Sequence, residues 1–155
     1  MGAPFEGLGS SIGAGAVILL YGSADGLSSA SGPLLTQDTR GVGSSAEIYD
    51  AFGEALAGGD FNQDGFADLA VGAPREDVGG IPNAGAVNVL YGSAGGLSGT
   101  GSQFFTQETP GVGGSAEGND LFGSTLAASG SQSEAAAAAL LSGSHSGAQS
   151  MTPRR

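Results

Sequence analysis

Nine residues in the middle of the chain carry the types and spacing that chemistry needs. The run DFNQDGFAD sets Asp60, Asn62 and Asp64 at alternate positions, glycine at Gly65 and another carboxylate at Asp68. Hard cations such as Ca²⁺ gather about six to eight oxygens, and a tight loop bending at glycine can wrap side-chain oxygens round one centre. Phe66, in the seventh place, adds its main-chain carbonyl. Asp60, Asn62, Asp64, Phe66 and Asp68 are therefore the candidate metal ligands. No Lys or Arg lies nearer in sequence than Arg75, so the three carboxylates repel one another unless a cation stands between them. The plain alternative is a solvated, acidic Asp-Gly hairpin turn. An EF-hand is excluded, because the twelfth place holds Val71 where a bidentate Glu is required.

Two other motifs carry less. Gly41 to Ala46 fits the loose G-x-G-x-x-A dinucleotide fingerprint, and Gly9-Ser-Ser-Ile-Gly13 fits G-x-S-x-G. The first needs a parallel strand before it and a helix after it; the second needs a strand-to-helix elbow and a histidine partner. The single histidine, His145, stands in a Gly/Ser-rich stretch. No catalytic residue is expected in this chain.

The elements that position the acidic loop come from a repeat. AGAVILLYGSADGLS (Ala14 to Ser28) returns as AGAVNVLYGSAGGLS (Ala84 to Ser98), and Tyr21 maps onto Tyr91 at an offset of 70 residues. Without gaps, the same offset carries Gly2-Ala3-Pro4 onto Gly72-Ala73-Pro74, Thr36-Gln37 onto Thr106-Gln107, Gly41-Val42-Gly43 onto Gly111-Val112-Gly113 and Phe52-Gly53 onto Phe122-Gly123. A period of this kind marks an array of similar units. Within a unit the pattern is β: Val87, Val89 and Tyr91 alternate with Ala86, Asn88 and Leu90, so both faces expect burial. Four short strands are predicted, Phe52 to Gly58, Ala67 to Gly72, Ala84 to Tyr91 and Gln103 to Thr106, the first two joined as a hairpin by the acidic loop. Such a four-stranded antiparallel sheet, apolar on both faces and small-residued on its first strand, suits a blade stacked between copies of itself. A generic antiparallel sandwich is the competing fold.

FGEALAGGDFNQDGFADLAVGAP, Phe52 to Pro74, resembles the FG-GAP repeat of integrin α chains and bacterial integrin-like proteins: Phe-Gly, a calcium loop, then Gly-Ala-Pro. GAVNVLYGSAGGLS after it is similar to the strand and loop that finish such a repeat. The resemblance implies an all-β protein of β-propeller blades, a Ca²⁺ cofactor, an extracellular or cell-surface location, and a role in adhesion or binding of a protein or glycan ligand at a cell surface or matrix. It covers residues 1–128: a partial unit at 1–49, amounting to the last two strands of a blade, a complete unit at 50–119 and the start of a third at 120–128. An incomplete propeller is therefore expected, self-associating through open sheet edges. Similar repeats also accompany some phospholipase D domains, which gives an alternative, an accessory part of a secreted hydrolase; a truncated fragment with no function of its own is the third.

Residues 129–155 are expected to be a low-complexity tail, with a short helix at Glu134 to Leu141 or no fixed structure. At the offset of 70, Gly130, Gln132, Glu134 and Ala138 replace the four side-chain ligands, so the next loop is lost. A change of reading frame near Ala128 and a misplaced start at Met1 would account for both ends. Composition narrows the partners. Fifteen acids against four bases give a formal charge of -11, which repels phosphate backbones and anionic lipid surfaces and favours cations, so nucleic acid and membrane insertion are not expected. Without cysteine, neither disulfides nor thiolate metal sites are available. The first residues, MGAPFEGLGS, show no signal-peptide pattern, and no apolar run approaches the roughly 20 residues of a membrane span.

Overall fold

The computed structural model describes residues 1–28, 32–129 and 137–141. They form an all-β structure of antiparallel sheets with two to four strands. The first sheet joins β1 (Gly2–Ala3), β2 (Ala16–Ile18) and β5 (Leu34–Leu35), and the hairpin of β3 (Tyr21–Ser23) and β4 (Gly26–Ser28) extends from it. The complete sheet runs in chain order through β6 (Leu56–Gly59), β7 (Asp68–Ala73), β8 (Ala86–Tyr91) and β9 (Ser98–Phe105). A last hairpin pairs β10 (Thr125–Ser129) with β11 (Ala137–Leu141). These are partial and complete blades of a β-propeller.

The complete blade is buried on both faces, as its alternation predicts. On one side Val71, Ala73 and Leu90 pack with Val17, Leu19 and Leu35 of the first sheet and with Phe52. On the other, Ala57, Ala70, Val87 and Val89 pack with Phe122, and Leu126 of β10 closes against them. Residues one apart on β7 and β8 thus serve different interfaces, because strand side chains alternate across the sheet.

Phe52 explains how one blade docks on the next. Its amide donates to the Ala14 carbonyl at 2.9 Å, and it forms a parallel bridge with Gly15. Phe122 repeats this against Ala84, again at 2.9 Å. A side chain at Gly85 would overlap the Phe122 backbone, and one at Gly72 would overlap the Gly123 carbonyl. Glycine at these two places is what lets successive units approach backbone to backbone.

Three local expectations are corrected. The first strand begins at Leu56, not Phe52: Phe52 is engaged with the preceding unit, and Gly53, at a left-handed φ of 91°, departs from the regular register although its amide still donates to the Gly72 carbonyl at 2.9 Å. The main sheet of the preceding unit has three strands, β1, β2 and β5, not two: Gly2–Ala3 pairs with Ala16 and Val17 as the end of β7 pairs with β8. Ala137–Leu141 is a strand, not a helix, since β10 offers it an antiparallel backbone ladder that overrides the helix preference of alanine. Glu134, and the ligand-equivalent positions Gly130 and Gln132, lie outside the described residues, as does His145.

Candidate metal site

The acidic loop occupies the connection between β6 and β7, where the register Gly59↔Asp68 closes the hairpin. Its first half is organised by its own amides. Asp60 accepts through Oδ1 from the Asp64 amide at 3.1 Å and through Oδ2 from the Gly65 amide at 2.9 Å. Asn62 Oδ1 also accepts from the Asp64 amide at 3.1 Å, and Asp64 Oδ1 accepts from the Phe66 amide at 2.8 Å. The Asn62 amide nitrogen donates to Asp64 Oδ2 at 2.8 Å. Gly65 permits the bend with φ of 88°.

Asp68 behaves differently from the other two acids. It is only 2 % exposed. Its Oδ2 accepts from the Phe61 amide at 2.6 Å, and its Oδ1 accepts from the Gly92 amide at 2.8 Å. The carboxylate therefore ties the start of the loop to the turn that follows β8. Spacing in the sequence did not reveal Gly92 as a partner, since it lies 24 residues on. The clue available was only that Asp68 opens a strand with two buried faces.

Among the described residues, no base is paired with these acids. Arg75, the nearest base in sequence, pairs with Glu54 at 3.0 Å. Pinned by amides, each carboxylate oxygen keeps a further lone pair, and the donor set is all oxygen, as a hard cation requires. The loop is not a formed cage: among the described residues, no three of His, Cys, Asp and Glu are grouped so as to hold an ion. Asp60, Asn62, Asp64 and Phe66 are exposed or half-buried, so drawing them toward a cation costs little packing, while Asp68 stays fixed at the base.

The discounted motifs fall in loops. Gly41 to Ala46 lies across the junction to the complete blade, its Gly43 amide donating to Asn88 Oδ1 at 3.0 Å, with no helix after it. Ser11, in the G-x-S-x-G run, donates its hydroxyl to the Ala46 carbonyl at 3.1 Å. Sequence reading also missed a buried polar group at this junction, Gln37, Asp50, Glu76 and Asn88; nothing in their spacing announces that they are buried.

Residues 52–90 match the FG-GAP repeat family. Two curated proteins are similar over about half of the chain. They are the phosphatidylinositol-glycan-specific phospholipases D of Mus musculus, 42% identical over 80 residues, and of Rattus norvegicus, 42% identical over 82 residues. Each alignment takes in 51% of this chain and 9% of the relative, so the chain spans a small part of the length of those enzymes. Among the described residues, no helix is long and apolar enough to cross a membrane.

Proposed function

We propose that this chain, which carries an FG-GAP repeat at residues 52–90, is a non-catalytic, calcium-binding propeller module of a secreted or cell-surface protein, acting in adhesion or ligand binding. The observation that supports it best is the loop between β6 and β7, where three carboxylates and an amide are held by main-chain N–H groups and no base among the described residues is paired to them. Asp60, Asn62, Asp64, Asp68 and the Phe66 carbonyl are the ligands in this reading. The ion would neutralise the acids and brace the hairpin that opens the complete blade. Affinity falls in the weak extracellular range, roughly 10⁻⁴ to 10⁻³ M, because one short loop leaves part of the shell to water.

Binding to the folded state alone raises its melting temperature with ligand concentration. Calcium titration of the wild type and of Asp64→Ala, followed by thermal melts and by calorimetry, tests the reading. A calcium shift present in the wild type and absent in Asp64→Ala supports it; equal responses in both proteins make the loop a plain acidic turn. A protein or glycan at a cell surface or matrix is the proposed partner.

The match to two phospholipases D favours a second reading, in which the module accompanies a secreted hydrolase. The reading frame around this sequence separates the two. A fused catalytic domain supports the accessory role, and tandem repeats with a surface anchor support adhesion.

A further inference from the structure

Glu76 sits in the turn after β7, 6 % exposed, and faces groups from the first unit. Gln37 Nε2 and the Ser44 hydroxyl both donate to its Oε2, at 2.6 and 3.0 Å, and Gln37 Nε2 also lies 3.0 Å from Ser44 Oγ. Gln37 is itself buried, and its Oε1 has no hydrogen-bond partner. Asp50, buried on the connection that leads into the complete unit, accepts from the Glu47 amide at 2.8 Å and is also reached by Gln37. Two buried carboxylates therefore share one amide.

The charged groups round this cluster are mostly acidic. Glu47 and Asp50 come from the inter-unit connection, and Glu76 and Asp77 from the turn after β7. A cleft of about 440 Å³ beside Asp50 is lined by Glu47, Asp77, Arg75 and Asn83 among others. Arg75, the base on that wall, is engaged by Glu54. Two buried carboxylates this close repel each other unless one of them carries a proton.

We propose that this junction is a proton-held latch: Glu76 keeps a proton while the two units are packed together and releases it to solvent on alkalinisation, loosening the contact. The geometry supports this. Glu76 and Asp50 are both buried, Gln37 offers one amide nitrogen to the two of them, and the base on the cleft wall, Arg75, is engaged by Glu54. Burial first, and the Asp50 charge second, push the Glu76 carboxyl up to about 7, against the opposing hydrogen bonds of Ser44 and Gln37. Burial likewise raises Asp50, so the two titrate as a coupled pair.

The latch belongs to one junction. At the offset of 70, Gln107 again has a buried Oε1 without a partner, but Gly114 replaces Ser44, and the place of Glu76 falls on Ser146, outside the described residues.

Melting curves from pH 5 to 8, in EDTA so that the calcium loop does not contribute, test the proposal together with a ¹³C titration of the side-chain carboxyls. The expected result is a melting temperature that falls by about 5 °C or more across this range, with the Glu76 carboxyl titrating near neutrality. Glu76→Gln resembles the protonated side chain in charge and shape, so its profile should be flatter than that of the wild type and should lie above it at pH 8. Asp50→Asn should move the Glu76 midpoint downward. A flat wild-type profile, or a Glu76 midpoint in the ordinary carboxylate range, overturns the latch. The carboxyl titration reads the wild type directly, so it decides the matter even if a variant does not fold.

Discussion

The acids of the β6–β7 loop and the acids of the inter-unit junction are the same functional groups put to opposite uses. In the loop, Asp60 and Asp64 lie near the surface, and their partners lie within five residues of them. At the junction, Glu76 is buried and its partners, Gln37 and Ser44, lie 39 and 32 residues away. Water solvates the first pair, whereas desolvation makes charge costly at the second and favours a proton. In this reading burial, more than the number of carboxylates, decides whether a region suits a metal ion or a proton. Asp68 stands between the two cases, buried like Glu76 but supplied with two amide donors that compensate its charge.

The contrast between loop and junction requires a packed interface, and removing that packing should have the largest effect. Phe52→Ala empties a fully buried site between the first sheet and the complete blade, and should cost about 3–5 kcal/mol in denaturant unfolding. A loss below about 1 kcal/mol would mean that the units barely depend on each other, and the buried junction would lose its basis.

Asp68→Ala comes next. It strands the Phe61 and Gly92 amides and should cost about 2–4 kcal/mol even in chelator, while also removing the calcium response. Asp64→Ala should remove the calcium response while leaving chelated stability within about 0.5 kcal/mol, because its bonds lie within an exposed loop. Equal losses for the two variants in EDTA would erase the distinction between the buried and the exposed acid.

The pH dependence is of similar or smaller size. Glu76 has a folded value of about 7, above its ordinary 4.5, so the folded state holds a proton that the unfolded chain has released between these values. Its contribution is fully present below about pH 4.5 and disappears as the pH rises through 7. Each tenfold difference in proton affinity between the folded and unfolded chain is worth about 1.4 kcal/mol, so the change is at most about 3.5 kcal/mol. A stability curve that rises over this range would reverse the sign and place the charged form of Glu76 in a favourable setting.

The smallest effect concerns the surface. Arg75→Ala breaks a half-exposed pair with Glu54 and should change stability by less than about 1 kcal/mol. Self-association is expected through the first sheet, where Ile18 is exposed although its repeat-equivalent Asn88 is buried, and its cross-strand partner Leu34 is exposed beside it. Sedimentation from micromolar to millimolar concentration tests this; a strictly monomeric species counts against it.

The sequence by itself determined the repeat, the strand alternation and the acidic loop, because each is written in residues close together or at one fixed offset. Val87 and Leu90 had to face opposite ways, and Gly65 had to bend a loop flanked by Asp60, Asn62, Asp64 and Asp68. Only the tertiary structure decided that Phe52 leaves its own strand to dock on Ala14, that Asp68 reaches Gly92, and that Ala137–Leu141 pairs as a strand. It alone placed Gln37 and Glu76 side by side. Those outcomes depend on which backbone edge or polar group another unit presents, and burial of a carboxylate is a property of the whole packed interface that spacing along one strand does not encode.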